Sequence, residues 1–183
     1  MKLNPLNLHH LFRALALSGL TLGAAGAHAQ SAPPDGAGTA TRPLFTWLDA
    51  DPKSELWIDS GFATWHFDRD KDLNGANHGL GAEYRFSGTM SAAVGRFYNS
   101  DRDWSNYAGV IWQPWAIGPV RLGAAIAAFD GYPRMRDGGW FPAAIPTLTY
   151  DYKRVGVNVG IIPSYKDRLY GGISVQLKIK LFE

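Results

Sequence analysis

From residue 55 onward the chain is written as eight short segments with strand character, and no stretch after the first thirty residues stays apolar for the ~18 positions of a spanning helix. Alternation with a period of two sends successive side chains to opposite faces of a strand, so an apolar face has to be covered by a core or by lipid. The segments run over 55–67, 77–87, 89–98, 105–117, 119–129, 142–152, 154–163 and 169–182, separated by Gly, Pro, Asn and Asp. Their lengths cluster near the ~9–11 residues with which a tilted strand crosses a bilayer. The last, LYGGISVQLKIKLFE, alternates most cleanly: Leu169, Gly171, Ile173, Val175, Leu177, Ile179 and Leu181 share one face, and Tyr170, Gly172, Ser174, Gln176, Lys178 and Lys180 the other. A lysine facing lipid near mid-membrane costs about 2–4 kcal/mol, which assigns Lys178 and Lys180 to a lumen or a rim and makes the apolar face the outer one.

The connections alternate in kind. Segments two and three meet at Ser87-Gly88, four and five at Gly118, and six and seven at Lys153, whereas DRDKDLNGA, NSDRDW, DGYPRMRDGGW and SYKDR are longer and charged. Tight turns at one rim and long polar loops at the other predict an all-β fold, an eight-stranded antiparallel up-and-down transmembrane β-barrel with both ends at the short-turn rim. A 13% aromatic content and 21 glycines fit such a barrel better than a soluble β-sandwich, the competing architecture. In PVRLGAAIAAF and YAGVIWQPWAI both faces are largely apolar or small, so part of the lumen is expected to be lined for hydrocarbon. Gly123, Ala124, Ala125, Ala127 and Ala128 would leave room there or ease the curvature.

The first 29 residues read as a cleaved signal peptide: Lys2 and Arg13 flank the apolar ALALSGLTLGAAGA, and Ala27-His28-Ala29 is an A-x-A cleavage site. Residues 30–54 form a Pro/Gly/Ala-rich linker whose cluster Leu44, Phe45, Trp47 and Leu48 is either linker or a short interfacial helix, limited to barely two turns by Pro43 and Pro52. Residues 55–183 are the barrel, a single domain. Cysteine is absent, which excludes disulfides, thiol nucleophiles and thiolate metal sites. A net charge of +2 on a mixed distribution argues against nucleic acid.

Strands one and three end on the same, long-loop rim, which places His66 near Asn99 and Ser100. An imidazole and a hydroxyl on one rim can act as base and as nucleophile or hydroxyl donor in acyl transfer. The competing reading makes Asn99-Ser100 a turn that bonds nearby backbone and His66 a rim aromatic. Basic residues of the long loops, Arg69, Lys71, Arg102, Arg134, Arg136, Lys166 and Arg168, can meet lipid phosphates or simply be a solvated surface balanced by neighbouring Asp. No spacing of His, Asp and Glu suggests a metal site, and no Gly-rich loop suggests a phosphate cradle; no cofactor is expected.

Several stretches resemble the lipid A palmitoyltransferase (PagP) family of eight-stranded outer-membrane barrels. Thr64-Trp65-His66 is similar to the family's T-W-H, and Phe97-Tyr98-Asn99-Ser100 to its F-x-D-S, with Ala108-Gly109 and Trp112 in register beyond it. Pro142-Ala143-Ala144-Ile145-Pro146 resembles its P-x-x-x-P and Ile162-Pro163 its I-P. The resemblance covers residues 62 to 182 in patches. It implies an acyltransferase that takes a chain from a phospholipid donor and esterifies lipid A in the outer membrane, acting as a monomer. His66 would be the base, Ser100 the hydroxyl that polarises or attacks the ester, and Asn99 an orienting partner; Pro146 and Pro163 would interrupt the ladder for lateral lipid access.

The departures carry consequences. Asn99 stands where the family has Asp, and by analogy with Asp-to-Asn exchange in catalytic triads a large rate loss is expected unless Asp101 or Asp103 substitutes. The loop after strand one is shorter, the amphipathic N-terminal helix is reduced or absent, and the chain ends on Phe182-Glu183. Ile111 replaces a glycine at the floor of the family's acyl pocket, which implies a preference for a chain shorter than palmitate. A non-catalytic barrel for envelope integrity, adhesion or lipid binding is the second reading, and lumen chemistry separates the two.

Overall fold

The computed structural model describes residues 44–182, so the expected signal peptide and most of the linker lie outside the described residues. It is an all-β structure of nine strands: β1 Phe45–Trp47, β2 Pro52–His66, β3 Ala76–Ser87, β4 Met90–Tyr98, β5 Trp104–Ile117, β6 Val120–Phe129, β7 Phe141–Tyr152, β8 Val155–Ile162 and β9 Gly172–Phe182. Strands β2 to β9 each pair antiparallel with the next, and β9 pairs back onto β2, which closes an eight-stranded up-and-down barrel. The tight turns fall where the alternation placed them, with Gly118 and Lys153 at φ 55° and 53°. The last barrel strand starts at Gly172 rather than at residue 169, because Tyr165 and Leu169 close a bridged turn of their own.

The aromatic cluster at Leu44–Leu48 forms a strand where the sequence left open a short helix. Strand β5 runs five residues beyond the β4 ladder, whose register begins at Met90↔Trp112, and β1 covers the exposed edge with Phe45↔Ile117, Thr46↔Ala116 and Trp47↔Trp115. An uncovered edge would leave unpaired backbone groups, and this short strand removes that liability. Trp47 also meets Trp115 edge-on at 5.4 Å.

The lumen is divided into two halves. Toward the short-turn rim it is filled with charge: Arg85 bonds Glu55 and Asp151, each at 2.7 Å, Arg121 shares Asp151 at 2.7 Å, and Lys178 bonds Glu83 at 2.7 Å. Trp57, fully buried, stacks under Lys178, Lys180 and Arg85 at 4.6, 5.2 and 5.4 Å. Toward the long-loop rim the lumen is aromatic and aliphatic, built on Ala93, Phe97 and Tyr107 with Phe62, Ile111 and Phe129 packed against them. On the outer surface Leu80, Val94, Ile126, Ile173, Leu177 and Ile179 are exposed between Trp65, Trp104 and Trp140 at one end and Phe86, Tyr150 and Tyr152 at the other.

Candidate functional site

A bulge in β2 decides what the long-loop half of the lumen contains. Glu55, Trp57 and Asp59 point inward, and strict alternation would continue through Gly61, Ala63 and Trp65, leaving His66 outside. Instead the register slips at Ser60-Gly61 against both β3 and β9, and Phe62, Thr64 and His66 take the inward positions. The bulge is pinned by Gln176, whose amide donates to the Ser60 carbonyl at 3.0 Å, and by the Ser60 hydroxyl, which accepts from the Leu177 N–H at 3.0 Å. Only glycine fits at position 61, where a Cβ would lie 2.1 Å from the Asn77 carbonyl oxygen.

Above the charged half lies a cavity of about 140 Å³ with an overwhelmingly apolar wall. Phe62, Phe97, Phe129 and Ile145 line it, with Ala125 and Ala127 supplying the space that the small-residue run of β6 suggested. Ile111 lines it as well; the next inward residue of β5, Gln113, donates to Thr147 and Thr149 at 3.2 and 2.9 Å. Ile111 is therefore the innermost apolar step of β5, directly above a polar layer.

The cavity reaches an open seam. Strands β7 and β8 pair only from Thr147↔Gly160 to Tyr152↔Val155, and continuing that register would set Pro146 opposite Ile161 and Pro163 opposite Ala144. Proline carries no N–H, so neither position can donate to a ladder. Ala143 and Ile145 on one side and Ile162 and Pro163 on the other line the cavity, while Pro146 faces outward and pairs with Ala124 of β6.

At the rim, Asn74 ties the sequence-derived residues together. His66 Nε2 lies 3.3 Å from the Asn74 carbonyl oxygen, the Asn74 N–H donates to the Ser100 carbonyl at 3.0 Å, and the Asn74 amide donates to the Asn99 carbonyl at 3.1 Å. Facing a carbonyl, Nε2 carries the proton, so Nδ1 is the bare nitrogen; it is buried without a partner. Thr64, one inward step below His66, and Ser100 both line the cavity.

Asn99 is fully buried, and its side chain is completely engaged. Its amide donates to Ser105 Oγ at 2.8 Å and to the Gly131 carbonyl at 2.7 Å, and its Oδ1 accepts from the N–H groups of Asp101 and Asp103 at 2.9 and 3.0 Å. These are the bonds of an Asx turn anchored to the β6–β7 connection, and none of the four is made to His66. Asp103 caps the Trp104 N–H at 2.7 Å. Asp101 lies beside Tyr132 at the mouth, where burial and that carboxylate hold the phenol above its usual pKa. Several loop cations are held locally: Arg102 on Asp72 at 2.8 Å, Arg134 on Tyr170, Arg136 on the Trp140 carbonyl at 3.2 Å. Among the described residues no three His, Asp or Glu converge to hold a metal.

Sequence reasoning missed Gly61, Asn74 and Asn77. Asn77, almost fully buried, donates to the Asn74 and Tyr98 carbonyls at 3.2 and 3.0 Å and also lines the cavity. The Asn74-Gly75-Ala76 run signalled a loop and Asn77 the start of a strand, and only the fold turned the two asparagine amides toward the site. No family model matches the chain and no curated protein matches it.

Proposed function

We propose that this chain is an outer-membrane acyltransferase resembling lipid A palmitoyltransferase, moving an acyl chain from a phospholipid to a hydroxyl of lipid A. The observation that carries the proposal is an apolar cavity that reaches the unpaired β7–β8 seam, with Ser100 in its wall at the rim, where Asn74 bridges it to His66. The exposed apolar band between aromatic ends on the outer surface supports a membrane position. A phospholipid tail would enter sideways between Pro146 and Pro163. Nδ1 of His66 would take the proton of the acceptor hydroxyl as its oxygen bonds to the ester carbonyl carbon. The bond to the glycerol oxygen then breaks, and that oxygen receives the proton. Ser100 would polarise the carbonyl or attack it first, and Asn99 would act by holding the turn that presents Ser100.

A second reading, a barrel that holds lipid without transferring it, is favoured by the complete engagement of the Asn99 amide in its loop. Mass spectrometry of lipid A from cells with and without the chain separates them. Transfer should appear with the wild type and vanish with His66→Ala or Ser100→Ala in a barrel that still folds. Activity retained in either variant overturns the assignment, and unchanged lipid A with lipid bound in the cavity supports the second reading.

A further inference from the structure

The floor of the apolar cavity is not apolar. Asp59 of β2 and Tyr107 of β5 both line it, with relative exposures of 1% and 9%; the Asp59 Oδ1 is buried without a hydrogen-bond partner, and the buried Tyr107 hydroxyl, which has the Gln176 amide nearby, makes no hydrogen bond of normal geometry. Register places them together: Asp59 pairs with Gly81, Gly81 with Gly95 and Gly95 with Tyr107, so the four residues form one row across β2 to β5. The tyrosine ring lies flat along that row over the two glycines. A Cβ at Gly95 would meet the ring at 2.6 Å, and one at Gly81 would meet the hydroxyl at 2.2 Å. Two glycines thus clear the path that delivers a phenol toward a carboxylate. A buried polar atom left without a partner is costly, and this row holds two of them.

We infer that the cavity takes a chain whose inserted end carries a hydroxyl, which donates to Asp59 and accepts from Tyr107. A methyl end leaves both groups unmatched, whereas a hydroxyl supplies one donor and one acceptor to complementary partners. Asp59 lies seven positions below His66 on β2, which at the rise and tilt of barrel strands is about 15–20 Å beneath the rim. The group that meets the floor is therefore the far end of a long chain and not the headgroup. The inference rests on the reading that the cavity holds an acyl chain, and it narrows the chemistry of that chain.

The test uses the full chain in lipid nanodiscs and a series of phosphocholine amphiphiles of increasing length, each made with a methyl and with a terminal-hydroxyl end, compared by native mass spectrometry. At the length that reaches the floor, the hydroxyl form should bind roughly tenfold more tightly, the worth of one to two net hydrogen bonds. Tyr107→Phe keeps the ring over the glycines and should reduce that preference several-fold, and Asp59→Leu should reverse it. Equal binding of both ends by the wild type, or an undiminished preference in Tyr107→Phe, overturns the inference while leaving the acyl cavity standing. Binding of neither end overturns both.

Discussion

At the scale of single residues, Asn99 shows how a resemblance and a structure assign different meanings to one side chain. Where the resembling family has a carboxylate, this chain has an amide whose two donors and one acceptor oxygen are all taken up by the loop. A carboxylate there would face the Gly131 carbonyl with no proton to offer. Asn99→Asp is therefore expected to lower stability by about 1–3 kcal/mol and to give no gain in transfer, read from the denaturant midpoint and from lipid A profiles of the same preparation. A faster enzyme of unchanged stability would restore the orienting role. Ile111 belongs to the same scale: Ile111→Gly removes the innermost apolar side chain of β5 and should shift products toward longer acyl chains. Identical lipid A species from the two proteins would end the idea that this residue measures chain length.

Among the elements, the β2 bulge has the most direct consequence, since one extra residue at Ser60-Gly61 moves His66 from the outer face to the lumen. Gly61→Ala forces a methyl against the Asn77 carbonyl at 2.1 Å. Expected are a loss of about 1–3 kcal/mol in stability, as for other overpacked sites, and a loss of transfer exceeding what reduced folding explains. Activity per folded molecule, with folding followed by circular dichroism, distinguishes these effects. The β7–β8 seam is the complementary case. Prolines at Pro146 and Pro163 were visible in the chain, and the register supplied the reason they matter: they stand at the first and third steps beyond the last β7–β8 pair, where neither has an N–H to donate.

Across the whole molecule, the division into an apolar half and a charged half gives the barrel a foundation beneath its cavity. Lys178 is fully buried and bonded to Glu83, with Asp151 at 3.5 Å. Removing one partner leaves an uncompensated buried carboxylate, so Lys178→Met should cost about 3–5 kcal/mol, and adding Glu83→Gln should recover part of it. Unfolding from lipid vesicles in denaturant reads both values; a single variant as stable as the wild type would mean that the charged half contributes nothing to stability.

The sequence by itself determined the eight barrel strands and the alternation of turns and loops, because a two-residue period and turn chemistry act over neighbouring residues. It also brought His66 and Ser100 to one rim, since strand order alone fixes which ends coincide. What the tertiary structure decided depends on registers between strands. These are the bulge that turns His66 inward, the seam that stops at two prolines, the row that lays Tyr107 over two glycines beside Asp59, and the strand at Phe45–Trp47 formed on a free edge of β5. Each is a contact between residues far apart in the chain, and a local pattern carries no information about which of two distant positions will stand opposite each other.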